Sequence, residues 1–192
     1  MTLSARTATA AAFAGVCLIA TQVLAGPPNW TVEKGASRLA FRSAASGMPF
    51  EGVFNRWDAQ IAFDPKQLAG SKVNVVIDMS SAATHEQTRD EALPSDDWFA
   101  TKKFPRASFS AASFKSLGGN RYQAAGTLTI RGVSRPVVLP FTLAIAGPTA
   151  KMHGELKINR NDFGVGQGEF KSAETVPLDV TIVVDLTAKK AG

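Results

Sequence analysis

The chain has 192 residues, of which 45% are apolar and 19% are charged, and its formal net charge is +5. This length suits one ordinary domain, and the apolar content is too high for an intrinsically disordered chain. A mean hydropathy near zero excludes a protein with many membrane spans. The single cysteine excludes a disulfide scaffold and a CxxC site, and the two histidines exclude a three-histidine metal centre.

Residues 1–25 have the three-part pattern of a cleavable export signal. A single basic residue, Arg6, precedes an alanine-rich apolar run that ends in Val23-Leu24-Ala25, where the small residue suits cleavage. The alternative is an uncleaved anchor, but the run is barely long enough to span a bilayer. Cleavage would remove Cys17 and leave residues 26–192 as one cysteine-free domain, which suits an oxidising compartment such as the bacterial periplasm.

Two apolar patterns of period two follow, and each of them changes phase. Apolar residues stand at even positions near Trp30 but at odd positions near Phe41. They stand at even positions up to Phe54 but at odd positions from Trp57. A period of two is typical of a strand with one face on the core. A change of phase indicates a bulge or a break, which bends a long strand around a barrel.

One segment departs from the period of two and predicts a short helix. Residues 84–87 fit a capping box with Thr84 as the N-cap, and residues 87–93 continue as a helix that a proline ends. We expect this helix to cover one mouth of a barrel. Its Arg89 and Asp90 either tie the helix to the barrel rim or meet the polar end of a ligand.

Further alternating runs extend to the C-terminal region. They cover residues 73–79, 122–130, 137–145, 152–158 and 176–186. Turn residues separate these runs, and about eight closely spaced strands are predicted in all. This pattern favours an antiparallel barrel or sandwich over a parallel α/β fold.

The inward faces of the predicted strands carry almost no charge. They mix large side chains such as Trp57 and Phe141 with small residues such as Ala124 and Gly126. The mixture suits a hollow barrel that holds an apolar ligand, and it also suits a core filled by its own side chains. Alternation alone leaves both interpretations open.

The sequence contains no motif of known catalytic chemistry. The HExxH, P-loop and GxSxG patterns are absent, so we predict no catalytic residues and no metal site. Residues 164–168 are glycine-rich, but no helix pattern follows them, which favours a tight hairpin turn. Only two basic doublets occur, Lys102-Lys103 and Lys189-Lys190, and most aromatic residues alternate inward. We therefore predict no nucleic-acid binding.

Several short motifs occur in a fixed order between residues 30 and 186. They are Gly52-Val53-Phe54, Ile61-Ala62-Phe63-Asp64-Pro65, Arg89-Asp90, Asp97-Trp98-Phe99, Phe104-Pro105, residues 126–137, and Arg160 followed by Asp162-Phe163-Gly164. Together they resemble the YceI-like family of exported, lipocalin-like barrels associated with polyisoprenoid binding. Residues 162–170 resemble the branch of that family found with, or fused to, cytochrome b561-type membrane proteins.

The resemblance implies an all-β, lipocalin-like antiparallel barrel of about eight strands with a short capping helix. It also implies a long apolar cavity that holds an isoprenoid chain, with no cofactor besides this ligand. We predict that Arg89 meets the polar end of the ligand. The predicted apolar lining residues are Phe41, Phe54, Trp57, Phe63, Trp98, Phe99, Leu128, Phe141 and Phe163.

Many family members carry histidines where this chain has Ala36 and Ser43-Ala44. Any contact that those histidines make with a head group is therefore made differently here. The leading hypothesis is a periplasmic, non-catalytic protein that transports or stores a quinone or polyprenyl lipid. The alternatives are a partner module for a cytochrome b561-type or other redox protein and, least favoured, an enzyme acting on a bound lipid. The sequence leaves open the identity of the ligand and whether the chain is a monomer or a homodimer.

Overall fold

The structure, a computed structural model, describes residues 26–191, and the predicted export signal at residues 1–25 lies outside them. Within the described part, the strands form one antiparallel sheet that closes on itself. The helix is α1 (Gln87–Ala92). The strands are β1 (Asn29–Val32), β2 (Arg38–Ala45), β3 (Met48–Phe54), β4 (Trp57–Ala62), β5 (Lys72–Asp78), β6 (Ala82–Ala83), β7 (Arg106–Gly118), β8 (Arg121–Ile130), β9 (Val133–Ala146), β10 (Thr149–Asn159) and β11 (Asp179–Lys190).

These segments form an eight-stranded barrel because two long strands are interrupted and β6 is only a short rim pairing. β1 and β2 both pair with β11, on either side of a 3-10 turn at Lys34–Ala36. Only Asn55 and Arg56 separate β3, which pairs with β2, from β4, which pairs with β5 and β1. Both interruptions lie where the apolar pattern changes phase. The predicted all-β barrel with a short helix is confirmed.

The two ends of the barrel are built differently. One end, which we call the helix end, carries α1, the turns at 46–47 and 131–132, and the loop at 160–178. The opposite end carries the turns at 118–120 and 147–148. The two ends of the described chain also meet there, where the amide of Ala191 donates to the carbonyl of Asn29 at 2.8 Å. Within residues 26–191, no helix is long and apolar enough to cross a membrane.

The interior contains two apolar clusters, one above the other along the barrel. Large side chains dominate the cluster nearer the helix end, and alanines are frequent in the other. The first comprises Leu39, Phe41, Ile77, Met79, Leu93, Phe99, Ala107, Leu128, Ile130, Phe163 and Val165. The second comprises Trp30, Phe63, Ala111, Ala124, Phe141, Ala150 and Ala188.

The absence of a side chain at Gly52 in β3 allows the ring of Phe41 to pack against the backbone. Gly52 is the direct partner of Phe41 in the β2–β3 ladder. A Cβ atom at Gly52 would lie 2.9 Å from Cε2 of that ring, and closer still to Cζ. We therefore expect Gly52→Ala to lower the free energy of unfolding by about 1–3 kcal/mol through overpacking. Urea denaturation measures this loss.

Gly35 is the matched control for this prediction. It lies in the 3-10 turn between β1 and β2, and a Cβ atom there would meet no heavy atom within 4 Å. Gly35→Ala should therefore leave the stability nearly unchanged. Equal losses of stability in the Gly35 and Gly52 variants would contradict the packing argument.

The start of α1 differs from the predicted capping box. Glu86 is the N-cap, and its carboxylate accepts two backbone N–H groups of the first turn, at 3.0 and 2.9 Å. The hydroxyl and amide of Thr84 instead donate to Oδ1 of Asp90, both at 2.6 Å. His85 adopts a left-handed φ of 60°, which turns the chain between Thr84 and Glu86. The choice of Thr84 as the cap was therefore wrong.

Candidate functional site: an apolar cavity along the barrel

A cavity of about 230 Å³ runs through the barrel interior. Residues of both core clusters line it, from Trp30 near the opposite end to Trp98 near the helix end. Every strand except β6 contributes to its wall. A volume this small, spread along so much of the barrel, makes the cavity narrow and elongated. It suits one extended chain better than a compact ligand, whose pockets enclose roughly 300–1,000 Å³.

All nine apolar residues predicted to line a cavity do line it. They are Phe41, Phe54, Trp57, Phe63, Trp98, Phe99, Leu128, Phe141 and Phe163. Of the two interpretations that alternation left open, the structure has the hollow barrel. That these residues bind a ligand remains a prediction.

Aromatic side chains form rigid walls near both ends of the cavity. Near the helix end, the ring of Phe41 contacts those of Phe54 and Phe99, with centroids 5.3 and 6.4 Å apart. Near the opposite end, the ring of Phe63 contacts those of Phe114 and Phe141, at 5.2 and 6.1 Å. Such tilted and edge-to-face contacts stabilise aromatic pairs beyond simple burial. In each pair, one ring restricts the orientation of the other, so the walls are preorganised.

One cavity-lining strand, β7, is not apparent from the sequence pattern. Its two phenylalanines, Phe109 and Phe114, lie among alanines and serines, so the apolar periodicity of the strand is weak. A register shift between Ala111 and Ser113 also changes the parity of the strand. An odd-numbered and an even-numbered phenylalanine therefore both line the cavity.

Arg89 does not line the cavity, although it was predicted to meet the polar end of a ligand. Its Cζ lies 4.5 Å from the centroid of the Phe50 ring, and its Nε donates to Oγ1 of Thr84 at 3.2 Å. Phe50 itself lines the cavity, so one aromatic ring separates Arg89 from the interior. The contacts tie α1 to the rim of the barrel. A contact between Arg89 and a ligand stays a prediction.

Asp90 ties α1 to the preceding segment in a pH-dependent way. Burial raises the pKa of its carboxyl, but the hydrogen bonds from Thr84 outweigh this effect and hold the pKa below its ordinary value. A carboxyl with a lowered pKa in the folded state contributes stability above its unfolded pKa of about 3.9. That contribution is lost as the pH falls through the lower, folded-state pKa.

We expect Asp90→Asn to lower the free energy of unfolding at pH 7 by about 1 kcal/mol, because a neutral amide accepts weaker hydrogen bonds. The difference should shrink as the pH is lowered from 7 towards about 2, because protonation of the wild-type carboxyl weakens the same hydrogen bonds. Urea denaturation of both proteins at the two pH values measures the effect. An equal loss of stability at both pH values would contradict the assigned role of the ionised carboxylate.

Arg160 is the buried centre of the loop at 160–178 and is only 2% exposed. Burial lowers the pKa of its guanidinium, but an arginine keeps its charge at neutral pH. Every nitrogen of the guanidinium donates to backbone carbonyls that the loop turns inward. The acceptors are Pro177 at 3.0 Å, Val165 at 3.0 Å, Gly166 at 2.8 Å, Ser172 at 2.9 Å, Val176 at 2.9 Å and Phe170.

The glycine-rich stretch at 164–168 belongs to this loop and is not the tight hairpin turn that the sequence predicted. Gly164, Gly166 and Gly168 adopt left-handed φ values of 66°, 73° and 61°. A Cβ atom at Gly166 would collide with Nη1 of Arg160. The glycines therefore let the backbone approach the guanidinium closely, a purpose that the sequence pattern did not reveal.

The outer surface of the barrel carries ordinary ion pairs. His153 is exposed on β10, and its Nδ1 lies 2.7 Å from Oδ1 of Asp185 on β11. Arg42 pairs with both Glu51 and Glu155 at 2.9 Å. Within residues 26–191, no group of three or more histidine, cysteine, aspartate or glutamate residues is arranged to hold a metal ion.

Residues 30–188, which include every residue that lines the cavity, match the family model described as the YceI-like domain. The chain belongs to the YceI-like family. The resemblance noted from the sequence motifs is thereby confirmed. The YceI-like match covers both core clusters and the loop at 160–178.

The YceI-like chain has curated relatives of similar length. It is 32% identical over 148 residues to a UPF0312 protein of Pseudomonas syringae pv. tomato, covering 73% of this chain and 77% of that one. It is 33% identical over 137 residues to Protein YceI of Escherichia coli O157:H7, covering 68% of this chain and 71% of that one.

Solved structures share the YceI-like barrel. The crystal structure of Burkholderia cenocepacia BcnA has a TM-score of 0.80 at 34% identity and covers 82% of this chain and 99% of its own. A polyisoprenoid binding domain from Saccharophagus degradans, implicated in plant cell wall breakdown, has a TM-score of 0.68 at 16% identity and covers 84% of this chain and 98% of its own. The second likeness is one of fold.

Proposed function

We propose that this chain is a periplasmic, non-catalytic binding protein that holds an isoprenoid lipid of the quinone or polyprenyl type in its cavity, for transport or storage. The observation that carries the proposal is the narrow, elongated cavity with its almost wholly apolar wall. The polyisoprenoid binding reported for a domain of the same fold supports it. The predicted export signal supports the periplasmic location.

The shape of the cavity favours a lipid tail over a polar metabolite. Burying each CH₂ group of a ligand contributes roughly 0.8 kcal/mol. Association itself costs about 4–15 kcal/mol in lost translational and rotational freedom. Two or three isoprene units, roughly ten to fifteen carbon atoms, therefore offset the lower part of this range on apolar burial alone.

The test is to purify the exported protein from a bacterial periplasm, extract it with organic solvent and analyse the extract by mass spectrometry. A stoichiometric isoprenoid is the expected result, and its mass gives the chain length and the head group. The intact mass of the protein reports whether cleavage follows Ala25. An empty extract, together with no uptake of added ubiquinone or polyprenol, would overturn the proposal.

A second candidate is a partner module for a cytochrome b561-type or other redox protein, in which any lipid is incidental. The resemblance of residues 162–170 to the cytochrome-associated branch favours it, and Met48 at the helix end is 72% exposed. Pull-down from membranes, with and without prior lipid extraction, separates the two candidates. Binding of the cytochrome that does not depend on lipid favours the partner module. Light scattering of the purified protein distinguishes a monomer from a homodimer.

A further inference from the structure

Two polar atoms of cavity-lining residues are buried without a hydrogen-bond partner. They are Nε1 of Trp98 and Oγ of Ser43, and neither finds a partner among residues 26–191. Both residues line the cavity. Buried polar atoms in folded proteins are rarely left without a hydrogen bond, because the loss of water destabilises the fold. A bound ligand with a suitable polar atom would supply the missing hydrogen bond to both atoms.

Both residues lie at the helix end of the barrel. Ser43 is in β2, opposite Phe50 of β3, and the chain continues to Ser46, whose amide donates to the loop at the carbonyl of Thr175 at 2.8 Å. Trp98 follows α1, and its ring centroid lies 5.1 Å from that of Phe170 in the same loop. The two orphan atoms are therefore at one end of the cavity and not distributed along it.

At the opposite end of the cavity, the indole N–H of Trp30 has a hydrogen-bond partner. Nε1 of Trp30 donates to the carbonyl of Phe63 at 2.9 Å. Trp30 also lines the cavity, so the two tryptophans provide an internal comparison. Of Trp30 and Trp98, only Trp98 keeps a buried indole N–H without a hydrogen-bond partner. An unpaired hydrogen-bond donor therefore lies at the helix end of the cavity, whereas the indole N–H of Trp30 at the opposite end is already paired.

Among residues 26–191, no charged side chain that lines the cavity is free to pair with a ligand. Among the described residues, Arg160 is the only charged one that lines the cavity. Its guanidinium nitrogens are all engaged by the carbonyls of the 160–178 loop. A phosphate in the cavity would therefore be buried without a free counter-charge, which is strongly unfavourable.

We propose that Trp98 and Ser43 contact the head group of the bound isoprenoid, and that this head group is neutral and carries a hydrogen-bond acceptor such as a carbonyl oxygen. The indole N–H of Trp98 donates to that acceptor, and the hydroxyl of Ser43 donates to the same group. The tail then extends towards Trp30. This inference rests on the proposed function and adds to it the head-group class and the orientation of the ligand.

The test uses three probes that share one fifteen-carbon chain, namely farnesyl acetate, farnesene and farnesyl phosphate. Dissociation constants are measured on delipidated protein by competition against radiolabelled farnesyl acetate. We expect the wild-type protein to bind the acetate about tenfold more tightly than farnesene, because the acetate alone offers a neutral acceptor to buried donors. We expect the phosphate to bind at least about tenfold more weakly than the acetate.

Trp98→Phe removes the N–H group but keeps an aromatic ring, and it should reduce the preference for acetate over farnesene to about threefold or less. Ser43→Ala removes the hydroxyl group and should reduce the same preference. Trp30→Phe is the matched control, because it makes the same substitution at a satisfied indole, and it should leave the preference unchanged. The far-UV circular dichroism spectrum and the midpoint of urea denaturation report whether each variant is folded.

Three results would each overturn the inference while leaving the proposed function intact. The first is equal binding of acetate and farnesene by the wild-type protein, and the second is tighter binding of the phosphate. The third is a preference for acetate that survives in both Trp98→Phe and Ser43→Ala. Failure of all three probes to bind would instead overturn the proposed function, and this inference with it.

Discussion

Arg160→Met should lower the free energy of unfolding by about 3–5 kcal/mol, the largest effect on stability that we expect from a single substitution in this chain. Methionine fills much of the same space but donates no hydrogen bond. The inward-facing carbonyls of the 160–178 loop would then be buried without partners. Because the loop is built around the guanidinium, hydrogen exchange of its amides should also become faster.

Two further variants make this prediction specific. Arg121→Met removes an arginine from an exposed position at the start of β8, and it should change the stability by less than about 0.5 kcal/mol. Arg160→Lys keeps the charge but has only three donors on a single nitrogen, so it should recover only part of the loss. Urea denaturation compares all three. Equal stability of the Arg160→Met and Arg121→Met proteins would contradict the role assigned to Arg160 at the centre of the loop.

Phe141→Lys should weaken binding of farnesyl acetate by at least about 100-fold. Phe141 lines the cavity, and its ring stacks on that of Tyr122 at 5.5 Å. A lysine there either places an ammonium ion in an apolar channel or draws water into it, and both outcomes remove the apolar contacts on which a lipid tail depends. The dissociation constant for farnesyl acetate measures the loss.

The matched control is Val138→Lys, on the same strand β9. Val138 faces outward and is 49% exposed, so a lysine there should leave binding within about twofold of the wild type. Should Phe141→Lys fail to fold, Ala124→Phe narrows the same part of the cavity without adding charge. It should reject long prenyl chains before short ones. Unchanged binding by a folded Phe141→Lys protein would show that the ligand does not occupy this cavity.

Much of the fold was predictable because a period of two is a local signal. The phase changes between Trp30 and Phe41, and between Phe54 and Trp57, correspond to real interruptions of two long strands. β7 was missed because Phe109 and Phe114 stand among alanines and serines, with a register shift between them. Periodicity fails where small side chains face the core and a bulge changes the parity.

The apolar part of the site was predictable for the same reason, and its polar part was not. Inward parity placed Phe63 and Phe141 on the inner face of the barrel, and the family resemblance added the cavity that they line. The engagement of Arg160 depends on where a distant loop turns its carbonyls, which no local pattern encodes. The unsatisfied indole of Trp98 differs from that of Trp30 only in its tertiary surroundings. A neighbouring ring likewise decides that Arg89 stands outside the cavity.

The meeting of the first and last described strands determines how the molecule is best immobilised for measurement. The amide of Ala191 donates to the carbonyl of Asn29, so a linker joined just before Gly26 or just after Ala191 emerges from the same end of the barrel. A protein tethered to a sensor surface through either linker presents α1 and Trp98 to the flowing solution. Probe exchange at that end can then be followed in real time without the support covering it.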